Sequence, residues 1–430
     1  MSDHATMIAA RQRQSGRSRL HRRFDDAILR ICRRLLASSS TGRLHLTLPS
    51  GANAWIDGAK PGAHAHLALR SYRAFWRSLR RGSIGFAESA IDGDLESHDL
   101  VALFAYFIDN REQLTRAGRN KFRVRRRDHA YHRSRANTRA GSRRNIAAHY
   151  DLGNEFYRLW LDPSLTYSSA FYASPGLSLE AAQQAKYDLI IDAADLETGQ
   201  RVLEIGCGWG GFAARAAARG AHVTGLTLSH EQLREAQAML DRHGHAARAA
   251  IQLLDYRDAT GCYDRIVSIE MIEAVGEEHW PHYFSTIRDR LAPGGVAVLQ
   301  AITIDEQLYD SYRRKADFIQ RYIFPGGMLP TPGLMERHAR ASGLSFESVR
   351  TFGASYAITA AEWRRRFNAA WPGIRALGFD ERFRRMWDYY LAYCEAGFER
   401  GTVTVGIYRL RKPEAETGPE TEERGTWQTT

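Results

Sequence analysis

The stretch Arg201-Val202-Leu203-Glu204-Ile205-Gly206-Cys207-Gly208-Trp209-Gly210-Gly211 decides how this chain is read. Val202 to Ile205 is an apolar strand apart from one acid, and it runs into a turn rich in glycine. Phe212 to Arg219 then continues as a helix. Glycine lets the backbone approach a ligand closely, and a helix N-terminus offers free N–H groups to meet it. The spacing is GxGxG, which differs from the GxGxxG dinucleotide fingerprint. Glu204 stands just ahead of the first glycine, where an acid suits a ligand that carries an ammonium group. That favours the amino-acid end of S-adenosylmethionine over a pyrophosphate.

Reading outward, strands and helices alternate. Ala221 to Leu226 is a second strand, followed by Thr227-Leu228-Ser229-His230-Glu231-Gln232. Ile251 to Leu254 is a third and ends at Asp255. Tyr263 to Ile269 is a fourth, and Val296 to Ile302, after the turn Leu291-Ala292-Pro293-Gly294-Gly295, is a fifth. This order predicts an α/β fold: a doubly wound, Rossmann-like class I methyltransferase core, with ligands at the carboxyl ends of the strands. One feature departs from the usual plan. No acid ends the second strand to hold a ribose, and Thr227 and Gln232 stand there instead.

The chain has 430 residues, with 60 Lys and Arg against 49 Asp and Glu, a formal charge of +11. Such an excess suits an anionic partner. The four cysteines, Cys32, Cys207, Cys262 and Cys394, form neither a CxxC pair nor a metal-like group with histidine. That argues against a disulfide framework or structural zinc and for a reducing cytoplasm. The first twenty residues lack the apolar core of a signal peptide, and no run of 18 apolar residues spans a bilayer. Membrane contact is therefore expected to be peripheral.

Four regions follow. Residues 1–118 read as a smaller α+β domain. It opens with a basic amphipathic helix, nine arginines and three acids within residues 1–40, which is either a surface helix or a membrane contact. Arg43 to Leu48 alternates like a strand, Trp76–Asp94 reads as a helix followed by Gly-containing turns, and Ser97–Asn110 reads as another helix. Residues 119–144 are an Arg-rich linker with eleven Lys or Arg and one acid, Asp128. A solvated tether, phospholipid head groups at roughly 1 kcal/mol per basic residue, and nucleic acid all fit it. Nucleic acid fits least, because the linker has few aromatics and no recognition motif. Residues 145–412 are the methyltransferase domain with a helical insertion, and 413–430 read as a disordered tail.

From Asn145 to Tyr408 the chain resembles the cyclopropane-fatty-acyl-phospholipid synthases and the related mycolic-acid cyclopropane synthases. The motifs are Ala148-His149-Tyr150-Asp151-Leu152, Leu161-Asp162-Pro163 with Thr166-Tyr167-Ser168, Leu203 to Gly211, Thr227-Leu228-Ser229 and Asp255-Tyr256-Arg257-Asp258. Further on come Glu270-Met271-Ile272-Glu273-Ala274-Val275-Gly276, Arg321-Tyr322-Ile323-Phe324-Pro325-Gly326-Gly327, and Tyr389 to Phe398. The first domain resembles that of the phospholipid enzymes more weakly, through Gly85-Phe86-Ala87-Glu88 and Gly93-Asp94-Leu95.

The resemblance implies methyl transfer from S-adenosylmethionine to a cis double bond of an unsaturated phospholipid acyl chain at an anionic membrane surface. A carbocation-like centre forms, and bound bicarbonate takes a proton from the new methyl to close a cyclopropane ring. It implies cofactor contacts from Tyr167, Ser168, Glu204, Gly206, Cys207, Gly208, Gly210, Thr227, Gln232, Asp255 and Tyr256, with Asp255 accepting from the adenine amine. It implies that Glu273 bonds the bicarbonate, with Tyr356, Gln300 and the backbone N–H groups of Ser169 and Ile302 as donors. His149 matches a family histidine or is a packing residue. Relatives are often homodimers, though no spacing here tests that.

Two positions depart from the phospholipid enzymes. Ser169 stands where many have cysteine, and Gln300 where they have histidine. Glutamine can donate to an anion but cannot titrate. Some relatives with glutamine there make methyl-branched chains, so C-methylation to a methyl or methylene branch is the alternative to a ring. N-methylation of a small amine is a further one. Cys394 lies at i, i+4 spacing with Tyr390 and Phe398 on one helical face. Packing alone explains it, the family match makes it a wall of the acyl channel, and no neighbouring His or Lys lowers its pKa toward a nucleophile.

Overall fold

The computed structural model describes residues 22–118, 135, 137–139, 141–142 and 152–414. Most of the Arg-rich linker, His149 and nearly all of the tail lie outside them.

The first sheet has four strands: β1 (Thr41–Thr47), β2 (Asn53–Asp57), β3 (Lys60–Leu69) and β4 (Leu95–Glu96), in the order β2-β1-β3-β4. β1 alternates as expected, so Leu44 and Leu46 face a core while Arg43 and His45 face outward. The Tyr72–Ile91 and Leu100–Asp109 helices pack against this sheet, capped by the side chains of Ser71 and Asp99. The first helix is not continuous. It kinks at Gly82, which takes a φ of 61° that an L side chain adopts at a cost.

The second sheet has seven strands in the order β10-β11-β9-β8-β5-β6-β7. β5 (Arg201–Ile205), β6 (His222–Thr227), β7 (Ala249–Leu253), β8 (Tyr263–Ile269) and β9 (Leu291–Ile304) are parallel, as the alternating pattern predicts. β5 and β8 are neighbours, and the order reverses between them. Two further strands escaped the sequence reading. β10 (Glu347–Thr351) and β11 (Val403–Arg411) close one edge, with β11 running antiparallel to β9. β10 is exposed along its whole length, so no apolar periodicity marks it.

Helices between β9 and β10, and between β10 and β11, form the expected helical insertion. Its longest member, Glu381–Glu399, joins the two sheets. Phe104 from the first unit meets Tyr389 at 4.8 Å and Tyr393 at 5.4 Å, both edge-on. Tyr322 donates to Glu88 across the same boundary at 2.6 Å. Both units thereby share one continuous apolar core. No helix among the described residues is long and apolar enough to cross a membrane.

Candidate active site

The site lies where the sheet order reverses, beyond the carboxyl ends of β5 and β8. The turn after β5 takes positive φ at Gly206 (81°), Gly208 (53°) and Gly210 (87°). A Cβ at Gly208 would meet open space, whereas one at Gly206 would strike the Met271 side chain at 2.6 Å. The turn therefore passes backbone alone to a cleft. Tyr167, Ser168, Glu204, Gly206, Cys207, Gly208, Thr227, Gln232 and Tyr256 all line that cleft.

Two expected cofactor residues sit elsewhere. Gly210 faces the His230–Arg242 helix, where a Cβ would meet Ala236 at 3.1 Å, so its role is helix packing. Asp255 does not line the cleft, although its neighbours Leu254 and Tyr256 do. Its two carboxylate oxygens accept from the Arg257 guanidinium at 2.8 and 2.6 Å. Burial works to raise its pKa, and Arg257 overrides that, holding the carboxyl below its ordinary value. A carboxylate so engaged is turned from the adenine contact expected of it.

The residues before the sheet form a strap over the cleft. The Asp162 carboxylate accepts from the Ser164 and Thr166 N–H groups, each at 3.0 Å, and Leu165 between them is held at a φ of 53°. Tyr167 shares a hydroxyl–hydroxyl bond of 2.9 Å with Tyr390. Ser168 is gripped from the Leu179–Ala193 helix: Gln183 donates to its carbonyl at 2.9 Å and Lys186 Nζ to its hydroxyl at 2.7 Å. Lys186 is fully buried, and that burial lowers its pKa to about 8. Neither Gln183 nor Lys186 was picked out from the sequence. The signal was there, because Lys186 falls on the face of Ala182, Ile190 and Ala193, where a lysine has no ordinary place.

Glu204 Oε2 is buried and has no partner among the described residues. Burial pushes its pKa up to about 8, against the pull of Lys186. An unpaired buried acceptor at the edge of a glycine turn fits the ammonium of S-adenosylmethionine, which would sit there when bound. Thr227 donates to Gln232 at 2.8 Å, which leaves the Gln232 amide free to meet a ribose hydroxyl.

At the end of β8 the arrangement departs from expectation. Donors expected around a bound anion converge instead on the Glu270 carboxylate. The Ser169 N–H and Gln300 Nε2 donate to its Oε1 at 2.8 and 2.7 Å, and the Tyr356 hydroxyl to its Oε2 at 2.7 Å. Among the described residues the Glu273 side chain receives the Ile302 N–H, and its Oε2 is buried without a partner. Burial, reinforced by the neighbouring Glu270 charge, pushes the Glu273 pKa up to about 8. Glu270 belongs to a quoted motif, yet spacing alone assigned it no role.

Cys394 is half-buried and packs against the main core. Burial and the charges of Asp317 and Glu270 push its thiol pKa far up. That is the opposite of an activated nucleophile. An aromatic wall runs from the cleft residue Tyr167, 5.2 Å from Trp363 and 6.4 Å from Phe324, to Tyr356, which lies 6.0 Å from Trp363 and stacks on Phe398 at 4.1 Å.

A family model described as mycolic acid cyclopropane synthetase matches residues 137–407. The tuberculostearic acid methyltransferase UfaA1 of Mycobacterium tuberculosis is 39% identical over 395 residues, covering 88% of this chain and 90% of its own. The cyclopropane-fatty-acyl-phospholipid synthase of Escherichia coli is 34% identical over 374 residues, covering 83% and 89%. Among solved structures, the mycolic acid cyclopropane synthase CmaA1 bound to SAH and CTAB aligns with a TM-score of 0.59 at 32% identity, over 63% of this chain and 98% of its own. The cyclopropane synthase MmaA2 from Mycobacterium tuberculosis gives 0.58 at the same identity and coverage. The chain belongs to the mycolic acid cyclopropane synthetase family, S-adenosylmethionine-dependent enzymes that methylate or cyclopropanate lipid acyl chains.

Proposed function

We propose that this enzyme transfers the methyl group of S-adenosylmethionine to one carbon of the cis double bond in an unsaturated phospholipid acyl chain, leaving a methylene branch. The aromatic wall beside the cofactor cleft carries the reading. An alkene is a weak nucleophile, so the sulfonium must be held in line and water kept away. Attack leaves a cation-like carbon, which the faces of Tyr167, Trp363, Tyr356 and Phe324 suit by cation–π attraction. S-adenosylmethionine supplies the methyl group and leaves as S-adenosylhomocysteine.

The new methyl then loses a proton. If a hydride first shifts from the methylated carbon to its cationic neighbour, the lost proton leaves a methylene branch. If it does not, the carbon chain closes a ring. Gln300 in place of the histidine of the phospholipid enzymes supports the branch, as does the similarity to a tuberculostearic acid methyltransferase. A cyclopropane ring is the second reading, supported by the similarity to the phospholipid synthase.

For the membrane, support comes from exposed Phe24, Ile31 and Trp76 near a helix over residues 22–36 that carries Arg22, Arg23, Arg30, Arg33 and Arg34. Such a face suits peripheral docking on anionic lipid. The test is incubation with liposomes of a monounsaturated phospholipid and methyl-labelled S-adenosylmethionine. Label should enter the acyl chains with a gain of one carbon and two hydrogens. Proton NMR then separates vinylidene from ring protons. Unlabelled acyl chains would sink the proposal.

A further inference from the structure

We infer that Glu270 is the base of this reaction, taking the place of a bound anion, so that the enzyme works without bicarbonate. The inference rests on the methyl transfer proposed above and names the group that completes it. Four observations carry it.

The first is convergence. Three donors from three parts of the chain, the Ser169 N–H, the Gln300 amide and the Tyr356 hydroxyl, point at one carboxylate at 2.7 to 2.8 Å. Donors so arranged would otherwise form a cradle for a small oxyanion. Here the protein fills the cradle itself. The second is location. Glu270 and Met271 line the cofactor cleft together with Gly206, so the carboxylate stands where a transferred methyl arrives.

The third is strain. Glu270 has a φ of 50°, one of three non-glycine residues among the described ones with positive φ. A glutamate pays for that conformation where a glycine would not. A residue needed only to continue the chain out of β8 would be relieved by glycine. The fourth is what surrounds the group. Gln300 Oε1 and Glu273 Oε2 are buried without partners among the described residues. The pocket thus retains acceptor capacity beyond what the Glu270 carboxylate uses, as a site that handles a proton requires.

The balance is simple. The methyl carbon's C–H bond breaks, its electron pair forms the new C–C bond of the ring or the C=C bond of the branch, and the proton goes to Glu270. A second acid at the same site also fits: among the described residues, the Ile302 N–H is the one hydrogen-bond donor to the Glu273 carboxylate. Fewer donors stabilise its anion, so it is the poorer candidate for the ionised base. A purely structural reading, in which Glu270 clips the Ser168–Ser169 strap to β8, explains the Ser169 contact but neither the cleft position nor the tolerated strain.

The experiment is chemical rescue. Glu270→Gly suits the observed φ, so it should fold, which thermal denaturation checks. In CO2-free buffer the wild type should turn over at full rate, and added bicarbonate should change nothing. Glu270→Gly should lose about 100-fold or more in kcat, bind S-adenosylhomocysteine as the wild type does, and regain activity with bicarbonate or formate in the vacated cradle. Glu270→Gln, which fills the cradle, should be as slow and beyond rescue. A wild type that stops without bicarbonate overturns the inference while leaving the methyl transfer intact. So does a Glu270→Gly enzyme that keeps its kcat in CO2-free buffer, or one that no anion restores. A wild type that labels no acyl chain overturns the methyl transfer instead.

Discussion

Glu204 sets how cofactor binding depends on pH. The residue is 2% exposed, one carboxylate oxygen has no partner among the described residues, and burial moves its pKa from an ordinary 4.5 to about 8. At pH 7 roughly one molecule in ten carries the anion. The cofactor's ammonium has a pKa near 8 as well. The bound pair needs both charges. Below pH 8 the free enzyme holds one proton more than the complex, so binding releases a proton and affinity rises with pH. Above pH 8 the free cofactor has lost its proton, so binding takes one up and affinity falls. The profile is a bell centred near pH 8, with affinity about 25-fold higher there than at pH 6. Glu204→Gln removes the rising limb. It also removes a charge-assisted hydrogen bond of about 1.5–3 kcal/mol, which weakens binding at pH 8 by roughly 10- to 100-fold. Titration calorimetry with S-adenosylhomocysteine from pH 6 to 9, in two buffers of different ionisation enthalpy, reads both the affinity and the proton count. A flat wild-type profile below pH 8, or a Glu204→Gln variant that keeps the rising limb, would refute the reasoning.

The remaining predictions are more local. Gly211→Ala would place a Cβ 2.5 Å from the Tyr187 hydroxyl and 3.3 Å from Thr166 Oγ1; overpacking there should cost about 1–3 kcal/mol and lower the denaturation midpoint. Lys186→Met should leave stability within about 1 kcal/mol, because the lost bond to Ser168 is offset by not burying an ammonium. It should still weaken S-adenosylhomocysteine binding roughly tenfold by freeing the strap, about 1.4 kcal/mol in calorimetry. Cys394→Ser should keep substantial methyl-transfer activity, since nothing near Cys394 activates its thiol; near-complete loss with folding intact would restore a catalytic role.

The fold was legible because its signals are local. The central parallel strands β5, β8 and β9 are buried on both faces, so each reads as a short apolar run, and the glycine turn follows β5 directly. Glu204 and Thr227 were legible for the same reason, since they sit at the ends of β5 and β6, whereas Tyr167 and Ser168, in the strap before the sheet, came from the resemblance alone. β10 was hidden because an exposed edge strand carries no periodicity, whereas β11, buried between β9 and β10, carries apolar residues and was missed despite them. Resemblance found Gln300, Tyr356 and Ser169 but could not say what they surround.

The sequence by itself determined the parallel core, the glycine turn, the class of cofactor and the family, because strand burial and backbone approach are fixed by residues adjacent in the chain. Tertiary structure decided the chemistry of the pocket. Ser169, Glu270, Gln300 and Tyr356 lie 30 to 187 positions apart, and only the packing of β8, β9 and the Gly353–Ala369 helix makes them one hydrogen-bonded group. The same packing turned Asp255 toward Arg257 and buried Lys186 beneath Ser168. Hydrogen bonds and desolvation depend on which groups meet in space, and chain order does not encode that directly.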